Sequence, residues 1–385
     1  MTNSSSALPL DPIGLLADLV AIDSVNPDLV PGAPGEAEIA DFCESWLSDH
    51  GLETHRLETR AGRPSVVGIA HGHGGGRSLM LNGHYDTVSL AGYDGDPLDP
   101  VQRDGKLFGR VAFDMKGGVA AAMVAVARAA TLDLRGEVMV ACVADEEHSS
   151  FGTEEVLARF TADAAIVTEP SHLAITLWHK GFIWFEVTII GRAAHGSRPD
   201  LGVDAIAKAG HVLVALEERG ERLRTGPRHP ELGSGTVHAS LIHGGEEASS
   251  YPASCHITIE RRTVPGERAD LRGTTCRAAG DTGRDDSRLH LPSGARARAR
   301  AIRGRSSKRY RADRLQACED CHRQPAAPAG EPFWTDCALI AEDGIPVLML
   351  GADGGGAHAS TEWTTVASVR QLDDILTATI AEFCR

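Results

Sequence analysis

Ser78-Leu-Met-Leu-Asn82, Met115-Lys-Gly-Gly-Val-Ala-Ala-Ala-Met-Val-Ala-Val-Ala-Arg-Ala-Ala-Thr-Leu132 and Glu137-Val-Met-Val-Ala-Cys-Val-Ala144 follow one another along the chain, and their reading decides the fold. The first and third are apolar runs of strand length. The second is a long run of small residues, at helix length. Strand, helix, strand predicts an α/β fold with a mostly parallel sheet, in which ligands collect beyond the C-terminal ends of the strands. Working outward, Gly152–Arg159 begins a helix and Ala164–Thr168 is the next strand. On the other side, Ile13–Ile22 and Glu36–His50 have helical periodicity, and 52–57 and 65–69 read as strands. His71-Gly-His-Gly-Gly-Gly76 reads as a solvated hairpin rather than a metal loop.

After Leu177 the texture changes. Phe182–Ile190 alternates aromatic and β-branched residues, Val203–Glu218 is helical, and Gly235–Leu241 and His256–Thr263 are strands. This β-α-β-β order predicts a small α+β, ferredoxin-like domain inserted in the chain. The α/β texture returns with a helix over 335–342, a buried strand over 347–350 and a closing helix over 368–384. The expected boundaries are 1–178 and 293–385 for the discontinuous α/β domain and 179–292 for the insertion.

Hydrophobic residues are 42% and charged residues 24% of 385, which excludes a disordered, collagenous or coiled-coil chain. The net charge of −15 argues against nucleic acid or an anionic membrane as partner. Gly117–Ala130, the longest run of small apolar residues, has 14 residues and contains Arg128, too short to span a bilayer. Met1–Leu10 has no basic and apolar regions of a signal peptide. The eight cysteines do not form a disulfide framework. The expected location is the cytoplasm.

Leu271–Gly330 departs from the rest: it holds 14 of the 38 Lys and Arg and only 6 of the 53 Asp and Glu. No helix or strand period is expected across Arg296–Arg305, and such a composition buries too little surface to offset the entropy of ordering. Cys318-Glu-Asp-Cys321-His322 lacks a second ligand pair for structural zinc. Arg, Ala, Gly and Pro are what GC-rich codons yield in a shifted frame, so about 269–330 reads as translated out of frame, leaving the inserted sheet with an open edge; a true basic insertion is the alternative.

The chemistry concentrates just after strands. His84 and Asp86 lie two apart in Gly83-His-Tyr-Asp86; Asp114 precedes a Gly-rich helix start; Asp145-Glu-Glu-His148, Thr168-Glu-Pro170 and Gly354–Glu362 follow further strands. Two imidazoles and three carboxylates make the donor set of a paired-metal site, and a further Glu beside a ligand Glu supplies a general base.

These motifs resemble the M20 metallopeptidase family, which includes acetylornithine deacetylases and succinyl-diaminopimelate desuccinylases. The matches are Gly-His-x-Asp at 83–86, Gly-Arg-x-x-x-Asp-Met-Lys-Gly-Gly at 109–118, Asp-Glu-Glu at 145–147, Thr-Glu-Pro at 168–170, Gly-x-x-Ala-His-Gly-Ser-x-Pro at 191–199, Arg-Arg-Thr-Val-Pro-Gly-Glu at 261–267 and Gly-Ala-His at 356–358. The resemblance implies a zinc-hydrolase catalytic domain with an inserted dimerisation lid, working as a homodimer. It implies two zinc ions per subunit, with cobalt as an alternative. His84 and Glu169 would bind one ion, Glu147 and His358 the other, and Asp114 both. Asp86 would orient His84, and Glu146 would move the proton from water to the leaving amine. His195 would stabilise the oxyanion in the partner subunit's site, and Arg262 would grip the substrate carboxylate. Arg262 also reads as a strand-face salt-bridge partner, and His148 as solvated. The implied substrate is a small N-acyl amino acid; a short peptide is the alternative, and an inactive product of a frameshifted gene a third.

Overall fold

The computed structural model describes residues 10–267, 287–290, 296–305 and 329–385, the two short internal stretches as backbone alone. Along the chain run α1 (Pro12–Ala21), α2 (Ala37–Asp49), β1 (Glu53–Leu57), β2 (Ser65–Ala70), β3 (Leu79–His84), β4 (Val101–Arg103), β5 (Lys106–Phe108), α3 (Gly117–Ala129), β6 (Val138–Val143), α4 (Phe151–Leu157), β7 (Ala164–Val167) and β8 (Thr176–His179). They are followed by β9 (Gly181–Ile190), α5 (Ala205–Thr225), β10 (Thr236–Gly244), β11 (Ser254–Thr263), β12 (Ser287–His290), β13 (Arg296–Arg305), β14 (Ala329–Glu331), α6 (Cys337–Glu342), β15 (Val347–Met349), β16 (Gly354–Gly355), β17 (Trp363–Thr365) and α7 (Val366–Phe383). Two compact units result. One takes the chain up to Leu177 and from Thr335 on; the other begins at Trp178 and includes Gly330–Trp334.

The first unit is built on strands in the sheet order β1-β2-β6-β3-β7-β15; the order ends in β8 and β14, within which the division into units falls. Its centre is parallel: Leu79 lies opposite both Val138 and Ala164, and Val347 opposite Ala165. β2, β3, β6 and β7 are buried along their whole length, as continuous apolar runs in a covered sheet require. α3 is buried on nearly all sides, and its Ala and Gly content is what lets it lie so close. A Cβ on Gly118 would stand 2.1 Å from the Thr168 carbonyl oxygen, so only glycine brings the start of α3 against the end of β7. α3 covers the sheet, and α1 and α7 pack against α3 with Leu16, Leu19, Leu372 and Leu376, all fully buried; each such side chain contributes about 1.5–3 kcal/mol. Asp11 caps α1, accepting from the N–H groups of Ile13 and Gly14. The His71–Gly76 loop is largely exposed, but it is not a hairpin: it joins β2 to β3, which β6 separates. A small sheet, β16-β17-β5-β4, flanks the same unit.

The second unit is an antiparallel sheet in the order β10-β11-β9-β13-β12. Phe185, Val187 and Ile189 of β9 and Ile257 and Ile259 of β11 face Ala209, Val212 and Leu216 of α5. Among the described residues, α5 is the one helix of this unit. The expectation of no strand across Arg296–Arg305 fails: β13 runs along β9, from Arg296 opposite Ile190 to Arg305 opposite Phe182. A ladder is made of main-chain hydrogen bonds and needs no apolar side chains, and Arg-Ala alternation has the strand period of two. The edge expected to be open is therefore taken by β13 and β12, and this unit runs past residue 292. Most of the proposed frame-shifted stretch, with Cys318, Cys321 and His322, lies outside the described residues.

Candidate metal centre

The parallel strands deliver the side chains. β3 ends on His84; β6 runs through Ala144 into Glu146 and Glu147; β7 leads to Glu169. Asp114 sits in the turn Ala112–Lys116 ahead of α3. His358 lies between β16 and β17 with φ +59°, a left-handed conformation that costs a non-glycine residue energy and is typical of functional loops. The structure brings side chains from the five separated motifs close together. His84, Asp114 and Glu169 form one triplet of donor atoms within 4.8 Å of one another, and Asp114, Glu147 and His358 form a second.

Asp114 is common to both, and its two oxygens face opposite ways. Oδ1 is 3.6 Å from His84 Nε2 and Oδ2 is 3.4 Å from His358 Nε2. His84 Nε2 also stands 3.7 Å from Glu169 Oε1 and 3.9 Å from Glu146 Oε2. These separations exceed hydrogen-bond length: the atoms converge without satisfying one another. The exception is His358 Nε2 to Glu147 Oε1, at 3.0 Å.

Electrostatics agree. Burial pushes the carboxyls of Glu146, Glu169 and Glu147 above the ordinary range. Burial acts on Asp114 in the same sense, but the imidazoles of His358 and His84 beside it hold it below. Asp114 beside it and the hydrogen bond with Glu147 raise His358 to about 10. Burial opposes charge on His84, yet Asp114 and Asp86 hold its pKa well above the usual value. Four carboxyl groups thus crowd two imidazoles in a site open on the His358 side, a donor set that fits divalent cations held by nitrogen and oxygen.

Behind the donors lies a buried network. His84 Nδ1 faces the main-chain oxygen of Asp86 at 3.2 Å and its Oδ1 at 3.4 Å, which leaves Nε2 for the site. Asn26 Nδ2 donates to Asp86 Oδ2 at 2.8 Å and to Asp145 Oδ1 at 2.9 Å. Arg63 ties Asp145, Asp28 and Glu36 together. Asp28, Asp145 and His148 also converge, but the cation among them is the Arg63 guanidinium, and His148 faces these acids rather than solvent alone. Thr335 Oγ1 accepts the Cys337 N–H at the start of α6, while Asp336 Oδ2 accepts from Thr153 Oγ1 at 2.6 Å.

His195 and Arg262 belong to the second unit. His195 is exposed, and its Nδ1 accepts the Ser197 N–H at 3.2 Å. Arg262 Nε donates to Glu260 and its guanidinium lies 5.4 Å from the Phe182 ring, the salt-bridge arrangement of the second reading. Sequence reasoning passed over Asn26, Arg63, Arg110 and Glu362. Arg110 and Glu362 stand inside quoted motifs and could have been found there; Asn26 and Arg63 carry no local signal, because the groups they serve are far off in the chain.

The model of peptidase family M20/M25/M40 matches residues 80–382. The acetylornithine deacetylase of Myxococcus xanthus is 29% identical over 96% of both chains. Among solved structures, aminopeptidase PepT of Bacillus cereus superposes with a TM-score of 0.75 at 17% identity, covering 99% of this chain and 100% of that one. A dinuclear metal-binding peptidase of the M20 family from Bacillus subtilis gives 0.66 at 17%, covering 97% and 98%. Among the described residues no helix is long and apolar enough to cross a membrane. The chain belongs to peptidase family M20/M25/M40, metallohydrolases of amide and peptide bonds.

Proposed function

We propose that this chain hydrolyses the amide bond of small N-acyl amino acids, with His84 and Glu169 holding one zinc ion, Glu147 and His358 a second, and Asp114 both. The observation that carries the reading is the sharing of Asp114 by two donor triplets with Glu146 beside them. The likeness to an acetylornithine deacetylase over nearly the whole chain supports the substrate class. Bound there, a pair of zinc or cobalt ions supplies Lewis-acid polarisation of the carbonyl and acidifies water towards a pKa of about 7. Glu146, a buried carboxyl with a raised proton affinity, accepts the water proton and passes it to the leaving nitrogen. Asp86 holds His84 and, through main-chain hydrogen bonds, the Glu146–Glu147 pair.

The second unit serves as a dimerisation lid. β10 is an exposed edge strand, with Leu241 and Ile242 about half exposed, and Val214 of α5 is 61% exposed. Such apolar surface suits a second copy. His195 accepts a hydrogen bond at Nδ1, so its neutral ring carries the proton at Nε2, ready to donate to an oxyanion of the partner's site. Arg262 grips the substrate carboxylate through Nη1 and Nη2. Five buried cysteines are free thiols, which suits the cytoplasm.

Metal content by elemental analysis, with a panel of N-acyl amino acids and short peptides, tests the reading. Two metals and turnover of N-acyl amino acids are expected. Turnover of peptides alone replaces the substrate assignment; metal without turnover rejects the catalytic one.

A further inference from the structure

Glu362 is fully buried, four residues after His358, and plays no part in the donor triplets. Its Oε1 accepts the main-chain N–H of Phe113 at 3.2 Å and of Asp114 at 3.0 Å. Its Oε2 accepts from Arg110 Nη1 at 3.1 Å, and Arg110 is itself 2% exposed, its guanidinium 5.1 Å from the Tyr93 ring. The main chain closes the same knot: the Gly109 N–H donates to the Glu362 carbonyl at 3.2 Å and the Tyr93 hydroxyl donates to it at 3.3 Å. One carboxylate thus joins the loop of Asp114 to the loop of His358.

We propose that Glu362 is a positioning residue for the metal pair: it fixes the backbone of Asp114, the shared donor, and sets its distance from His358, while Arg110 orients the carboxyl group. A buried ion pair is weak evidence for stability alone, since desolvation offsets much of its attraction. Here one oxygen is spent on the turn that carries the shared donor and the other on Arg110 just ahead of it, which is the arrangement expected of a group that orients ligands. The inference rests on the proposed role of Asp114.

Glu362→Gln preserves shape but cannot accept at both ends. Metal-free protein is titrated with zinc against a chromogenic chelator, and with cobalt by visible absorption. Wild type is expected to take up two ions. The variant is expected to bind at least one of them about 10–100-fold more weakly, with an altered cobalt spectrum and a fall in kcat while KM stays within about twofold. Asp373→Asn, which breaks the 2.9 Å pair between buried Asp373 and partly exposed Arg128 and touches none of the donors, is the control: it is expected to change Tm and leave zinc affinity unmoved. Unaltered affinity and spectrum in Glu362→Gln overturn the inference, as does an equal loss of affinity in Asp373→Asn. A wild type that takes up no metal overturns the functional proposal itself, and the inference with it. If Glu362→Gln does not fold, Arg110→Lys is read by the same criteria.

Discussion

Asp86 Oδ1 accepts the main-chain N–H of Glu146 at 3.0 Å, and its Oδ2 accepts that of Glu147 at 3.3 Å. The carboxylate behind His84 therefore also seats the two acids that follow β6. Asp86→Ala removes all three supports at once. Metal affinity or rate is expected to fall about 10–100-fold, measured by metal content after dialysis and by initial rates. Wild-type values in both would show that the imidazole and the two acids hold their places unaided.

Glu146 and Glu147 are neighbours with different partners: Glu146 faces His84, and Glu147 hydrogen-bonds His358. Glu146→Gln is expected to keep two metals and lose at least about 10²-fold in turnover. Glu147→Gln is expected to lose one metal. Elemental analysis beside kcat separates them, and a fully active Glu146→Gln enzyme rejects the proton-transfer role.

If His195 acts across a dimer, two inactive proteins should repair each other. His195→Ala mixed with Glu146→Gln under conditions of subunit exchange is expected to regain part of the activity, because each heterodimer holds one site with all its groups. Continued inactivity, with exchange verified by labelled subunits, assigns His195 to its own subunit or to none.

Asp373 gives a pH dependence of stability. Burial, opposed by Arg128, pushes its carboxyl up to about 6. A raised folded-state pKa means the native state holds the proton more tightly than the unfolded chain. Its stabilising contribution is full below the usual carboxylate pKa and is lost as pH rises through about 6. The stability difference between wild type and Asp373→Asn is therefore expected to shift against wild type from about pH 4 to 6 and then level off. Urea unfolding of both across this range measures it; a shift in the other direction would mean that the Arg128 pair outweighs burial.

The central sheet was legible because its strands are buried on both faces and so appear as unbroken apolar runs, Leu79–Leu81 and Val138–Val143 above all. The donors were legible because strand ends place them in short acidic or imidazole-bearing motifs. Asn26 and Arg63 were not: each serves residues about 20 to 120 positions away, and long-range hydrogen bonds leave no periodicity. β13 was missed because composition speaks of side-chain burial and is silent on main-chain pairing. The out-of-frame reading of about 269–330 remains a proposal with a direct check. Resequenced coding DNA is expected to show offsets near both borders and, in the restored frame, apolar codons; a single clean frame with no such alternative rejects it.

His84, Asp114 and Glu169 precede the inserted unit in the chain, whereas His358 follows it. The first triplet is complete in the nascent chain long before the second can exist. If the second triplet holds an ion as proposed, that ion would add a clasp between two distant stretches of polypeptide. Without a second ion, the His358 loop is expected to loosen first, because β15 and α7 on either side of it are held by the sheet and the core.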